Sequence, residues 1–165
     1  MGMPSRLYGY IDEASPGWAS GNDPVQMERR KSSSWHIHRH NRMIMSTLPP
    51  ADTWPPLDRH MFGWVPADAE VSNHYGLNIH FAASLKEVDW DLRTWLDKFE
   101  VLLRCLYWER VVLHFEAAYL GHHTFTWRPK EEWLSRVWKG HLELITEWDF
   151  ESSMELKDLA QLRGV

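Results

Sequence analysis

The stretch "SSSWHIHRH", residues 32–40, places His36, His38 and His40 at alternate positions. On an extended strand three such imidazoles leave one face. Neutral imidazole is a ready zinc ligand, and a catalytic zinc commonly takes three protein ligands and keeps one position open. Three considerations weigh against a metal here. Alternate residues of one strand usually supply two good ligands, with a third arriving from elsewhere. Arg39 and Arg42 would oppose a bound cation. On a helix the three rings would not converge at all. The triplet is therefore expected to form a polar or aromatic-stacking surface, and no cofactor is assigned to it.

His80, His114 and Glu116 form a second set, projecting from the less apolar faces of two strands that can be neighbours. His122 and His123 lie at a turn beside them. Two histidines and a carboxylate can ligate a metal or perform acid–base work. Covered by helices, His114 would instead be a hydrogen-bonded core residue. This set defines the alternative to a binding protein: a metal-dependent enzyme or a ligand-binding protein. No Gly-rich phosphate loop, His-Glu-x-x-His, Cys-x-x-Cys or Gly-x-Ser-x-Gly occurs in the chain. A non-enzymatic role is accordingly the leading expectation, with no catalytic residue and no metal assigned.

Eleven tryptophans stand out in 165 residues. Each offers a large apolar surface and one N–H that needs a partner when buried. Trp95, Trp133 and Trp138 fall at inward positions of helical patterns, whereas Trp18, Trp54 and Trp64 fall in loops rich in Pro and Gly. Exposed loop aromatics anchor protein–protein contacts, and they also stack on sugars or bases. A small-ligand pocket lined by aromatics is a further use for them.

The net charge of −5 argues against nucleic acid as a partner. Residues 140–165 concentrate acids, among them Glu143, Glu147, Asp149 and Glu151, against only Lys157 and Arg163. Such an end either steers a basic partner or is a solvated surface. Trp54 and Trp64 are the expected anchors, and those four acids the expected steering groups. Cys105, the single cysteine, excludes an internal disulfide and falls in an apolar helical pattern, which predicts a buried structural thiol. No apolar run suggests a signal peptide or a membrane span, so a cytoplasmic location is expected. Nothing in the sequence sets the oligomeric state.

The elements that must position these groups are partly legible. "RLYGYID" reads as a strand with Leu7 and Ile11 on one face and Tyr8 and Tyr10 on the other. Residues 25–48 fit a helical stripe through Ile37, Asn41, Ile44 and Leu48, but Trp35, Ile37 and the alternating histidines also fit a strand. Four prolines in "LPPADTWPPLD" make the Pro-rich segment near 48–66 irregular. "YGLNIHF" alternates as a half-buried strand. "DWDLRTWLDKFEVLLRCLYW" repeats apolar residues at three- and four-residue steps, with Asp89 or Asp91 as cap and Glu100 one turn before Arg104. A hairpin turning at Gly121, a short helix after Pro129, a strand over "HLELITEW" and a closing helix over "SSMELKDLAQL" complete the expected order.

These elements predict one α+β domain over residues 1–165, a sandwich of a mainly antiparallel sheet with helices packed on one face. The segment "FEVLLRCLYWERVVLHFEAAYLGHHTFTW", residues 99–127, resembles segments of small uncharacterised bacterial proteins associated with toxin–immunity systems. The resemblance implies a compact α+β protein that acts by binding, most concretely an immunity-type inhibitor that occludes a basic toxin domain. It carries over no functional residue.

Overall fold

A computed structural model describes residues 4–15, 24–64, 78–139 and 141–154, with backbone only for 26–33. Six strands form one antiparallel sheet: β1 (Pro4–Glu13), β2 (Phe62–Trp64), β3 (Asn78–Lys86), β4 (Trp108–Ala117), β5 (Gly121–Pro129) and β6 (Trp148–Ser152). Their order across the sheet is β2-β3-β1-β4-β5-β6. The first strand is thus central, flanked by two strands that come much later in the chain. Three helices accompany it: α1 (Pro24–Ser46), α2 (Leu92–Leu103) and α3 (Glu131–Trp138). The architecture is the expected α+β arrangement.

Alternation along each strand decides which face is covered. Leu7 and Ile11 of β1, Ile79 and Phe81 of β3, Val111, Leu113 and Phe115 of β4, and Phe125 and Trp127 of β5 are buried in one core. Helix α2 lies on this face, its Phe99 ring 5.2 Å from Phe81 and 5.4 Å from Trp127. The predicted stripe of α2 is realised, since Leu92, Trp95, Leu96, Phe99, Leu102 and Leu103 are all buried. Its expected cap is not. Asp91 makes no side-chain cap bond, and Asp89 accepts a hydrogen bond from Ser5 Oγ at 3.3 Å. A cap is worth about 1 kcal/mol and each large apolar side chain roughly 1.5–3 kcal/mol on burial, so packing outweighs the missing cap. Glu100 and Arg104 likewise serve other partners: Glu100 accepts the Trp127 indole N–H at 3.1 Å, and Arg104 spreads over the Trp148 ring at 4.5 Å.

Residues 24–46 are helical throughout, which resolves the ambiguity and disperses the histidine triplet. His36 and His40, one turn apart, stack at 6.5 Å, and His40 Nε2 meets the Cys105 carbonyl at 2.8 Å. His38 points the other way, into the core beside Glu13. Cys105 is only half-buried, its thiol directed at the Val101 carbonyl.

Helix α1 is fastened through buried polar groups. Glu13, at the inner end of β1, is 5% exposed. Its carboxylate accepts from Asn41 Nδ2 at 3.2 Å and from Arg42 Nη1 at 3.3 Å, and lies 3.1 Å from His38 Nδ1. Asn41 also donates to the Tyr107 carbonyl and accepts from the Tyr107 amide, both at 3.0 Å. His38 Nδ1 is 3.0 Å from Arg42 Nη2 as well. Guanidinium only donates and carboxylate only accepts, so the protonation of this one nitrogen selects which neighbour it bonds.

Three other expectations shift. The segment "HLELITEW" lacks regular structure over 141–147, and the strand begins at Trp148. His141 N donates to the Arg136 carbonyl and Trp133 Nε1 to the Glu143 carbonyl, so the chain is tied to the end of α3 before it can pair with β5. The Pro-rich segment ends in strand β2, inside the span expected to be irregular. Trp138 is 49% exposed, because Val137 occupies the inward position one turn after Trp133. Trp18 and residues 155–162 of the expected closing helix lie outside the described residues; Ser152, its expected first residue, instead ends β6 and accepts from the Met154 amide at 3.0 Å, and "YGLNIHF" is described only from Asn78.

Glu13→Leu should lower stability by about 3–5 kcal/mol, because His38, Asn41 and Arg42 lose the buried carboxylate they share. The change should appear in urea as a lower midpoint at unchanged slope. Adding Arg42→Met should restore much of the loss, and a single-variant loss under about 1 kcal/mol would remove this cluster's structural role.

Candidate partner-binding surface

The loop between α1 and β2 is irregular yet densely braced. Lys98, on α2, donates all three of its ammonium hydrogens into it: to Asp52 Oδ2, the Thr53 carbonyl and the Pro55 carbonyl, each at 2.9 Å. Asp52 in turn accepts from the Leu57 amide at 3.0 Å and the Thr53 amide at 2.9 Å. Arg59 returns two bonds to the Leu48 carbonyl, and Trp95 Nε1 reaches the Pro56 carbonyl at 3.0 Å. The prolines remove donors, so side chains from α2 supply what a backbone ladder would otherwise give.

This bracing presents Trp54. Its indole is 51% exposed, and Nε1 donates to Asp91 Oδ2 at 2.7 Å. The carboxylate expected to cap α2 instead orients a surface tryptophan. Trp90, next in chain to Asp91, is 66% exposed, while Val88 and Asp89 before it are buried. Trp64, the other expected anchor, lies on the inner face of β2 opposite Ile79, half-buried against the core. The Arg42 guanidinium lies 5.9 Å from its ring. Of the two anchors, only Trp54 faces solvent broadly.

The four expected steering acids lie on or before β6. Glu143 pairs with Arg136 and Asp149 with Lys130, while Glu147 and Glu151 are exposed. Lys130 is held above the ordinary lysine range, first by its hydrogen bond to Asp149 and then by the charge of that carboxylate, with Glu147 adding to it.

His80, His114 and Glu116 share the outer face of the sheet, but β1 separates the strands that bear them. His80 stands opposite Tyr10 and His114 opposite Tyr8. Strand spacing near 4.8 Å puts β3 and β4 about two spacings apart. His80 is also turned to the sheet's far edge: a Cβ built on Gly63 would fall 2.2 Å from its Nε2, so the ring lies across that glycine. Among the described residues no three His, Cys, Asp or Glu side chains converge as for a metal.

Glu116 is instead engaged by its neighbours on that face. The Tyr8 hydroxyl donates to Oε1 at 2.8 Å, His122 Nδ1 is 3.4 Å from the same oxygen, and Arg6 lies 3.6 Å from Oε2. The Tyr8 hydrogen bond above all holds Glu116 below its ordinary range, so at neutral pH it is an ion and a poor proton acceptor. The same bond raises Tyr8. A groove of about 300 Å³ lies beside it, lined by Pro4, Arg6, Glu116, Ala117, Ala118 and His122. His114 bonds Thr124 Oγ1 at 3.0 Å, on the neighbouring strand. At the other end of this face Asp12 and Glu109 are both raised, each chiefly by burial.

Neither Lys98 nor Trp90 was marked by the sequence as part of a site. The spacing of Trp90, Asp91 and Trp54 carries no periodic signal, since a cross-chain indole–carboxylate bond joins them.

Asp52 is held below the usual carboxylate range, first by the Lys98 hydrogen bond and next by the Leu57 amide. Its stabilising contribution is therefore fully present above the ordinary carboxylate pKa and is lost as pH falls through the depressed value. Protection of the Thr53 and Leu57 amides against hydrogen exchange, corrected for intrinsic rates, should fall on that acidification while α2 keeps its protection. Lys98→Met should show the loosened loop already at neutral pH; unchanged protection would mean that the brace does not hold it. No family model, curated protein or solved structure matches this chain.

Proposed function

We propose that this chain is a non-enzymatic protein-binding module, most concretely an immunity-type inhibitor that occludes a basic bacterial toxin domain in the cytoplasm. The observation that carries the reading is Trp54: a large aromatic held outward by an indole–carboxylate bond on a loop fixed by Lys98. An anchor already ordered in the free protein loses little conformational entropy on binding. Tryptophan is enriched among the few residues that dominate interface energies. Support also comes from the acidic strand end, which would draw a basic partner, and from the resemblance of residues 99–127 to segments of toxin–immunity proteins. No helix among the described residues is long and apolar enough to cross a membrane.

The test is isolation of the untagged protein from its native host after mild cross-linking. A basic protein domain should be recovered with it, and the Trp54→Ser variant should recover much less. Recovery of the chain alone with near-stoichiometric metal, lost on replacing His114, would overturn the reading. With the partner in hand, changing Glu143, Glu147 and Glu151 to Gln and Asp149 to Asn should slow association about tenfold at low salt and flatten its salt dependence. An unchanged on-rate would remove these acids from the steering role.

A further inference from the structure

The sheet ends in β2, with three residues, on one side and in β6, with five, on the other. Just past the end of β6 the Ser153 amide donates to the Thr124 carbonyl at 3.0 Å. In an antiparallel ladder the backbone groups of successive residues turn to opposite sides. Thr126 stands opposite Glu151 and Arg128 opposite Asp149, so the N–H and C=O groups of Glu151 and Asp149 also turn to β5. Those of Trp148, Phe150 and Ser152 turn away from it. Among the described residues no hydrogen bond meets these outward backbone groups. The side chains alternate as well. Trp148 and Phe150 lie on the inner face, 6.1 Å from the Trp108 ring and 5.1 Å from the Trp127 ring. Both are half-buried, since the sheet ends beside them. Asp149 and Glu151 are exposed on the outer face. Lys130 answers Asp149, while Glu151 and the preceding Glu147 have no ion pair among the described residues.

We infer that the open edge of β6 takes up an extended segment of the partner as an added strand, one whose side chains alternate apolar and basic. This rests on the protein-binding reading above and names the surface and the backbone form of that contact. Main-chain bonds to Phe150 and Ser152 hold the segment, and its alternate side chains confer selectivity. The apolar ones extend the row of Trp148 and Phe150, and the basic ones stand beside Asp149 and Glu151 at cross-strand spacing. A second copy of this chain is the poorer occupant. Two β6 strands paired antiparallel about Phe150 set Asp149 against Glu151 twice, like charge against like.

The experiment uses the full chain labelled with nitrogen-15 and two capped hexapeptides of one composition, Lys-Val-Arg-Val-Lys-Val and its block isomer Lys-Lys-Arg-Val-Val-Val. In the free chain the Phe150 and Ser152 amides should exchange about tenfold faster, or more, than those of Glu151 and Ser153, which bond β5. The alternating peptide should slow Phe150 and Ser152 about tenfold and bind about three- to fivefold more tightly than its isomer. Ser152→Pro removes one outward donor and leaves the ladder to β5, and should erase most of that preference. Glu151→Lys keeps every backbone donor and should weaken the alternating peptide about fivefold. Phe150 and Ser152 amides already slow in the free chain would show that the chain covers its own edge, and would overturn the added strand. Equal binding of the two peptides, or a preference that survives both variants, would do the same. Slowing that appears with protein concentration alone would assign the edge to a second copy instead. Such a failure leaves recovery of a basic protein from the host as a separate question. Conversely, uptake of the alternating peptide with no basic protein recovered would remove the inhibitor role and keep the edge.

Discussion

The buried carboxylate of Glu13 is the constraint on which the rest of the molecule depends. It lies at the inner end of the central strand and gathers His38, Asn41 and Arg42 from one helix. A lone ion there would be prohibitively costly, so the helix must supply its counter-charge and donors in register. Positions 38, 41 and 42 do this because steps of three and four return to the same helical face. The guanidinium that answers Glu13 also lies near Trp64 on β2, so one ion pair relates the central strand, the long helix and an edge strand.

Around that anchor the apolar core follows simple alternation. Its indole N–H groups show how polar atoms of large side chains are settled. Trp95 donates to a loop carbonyl, Trp108 to the Leu103 carbonyl, Trp127 to Glu100 and Trp133 to the Glu143 carbonyl. Each bond ties the element that carries the indole to another element or loop, so the tryptophans direct the loops as well as filling volume. The ordered Pro-rich loop is a consequence: its carbonyls meet Trp95 and Lys98 of α2, and its exposed indole meets Asp91.

The two faces of the sheet therefore have different characters. The inner face is closed by helices. On the outer face polar residues satisfy one another across strands, with Tyr8, Arg6 and His122 about Glu116 and Thr124 against His114. The Glu116 carboxylate, held below its ordinary range above all by the Tyr8 hydrogen bond, keeps its charge at neutral pH.

Period alone determined much of the architecture. The strands at Leu7–Ile11 and Asn78–Phe81, the stripe of α2 and the hairpin at Gly121, with φ of 75°, are all local patterns that leave one satisfactory way to hide apolar surface. Of the candidate surface, the sequence marked Trp54 as an exposed loop aromatic and the acids near β6 as a charged end. Tertiary structure alone decided what long-range partners decide. It made 24–46 a helix, because Ile37, Asn41 and Met45 had a core to enter and Glu13 to meet. It placed β1 between His80 and His114, and it turned Asp91 from a cap into the support of an indole. Hydrogen bonds between residues tens of positions apart have no period, so no pattern along the chain announces them.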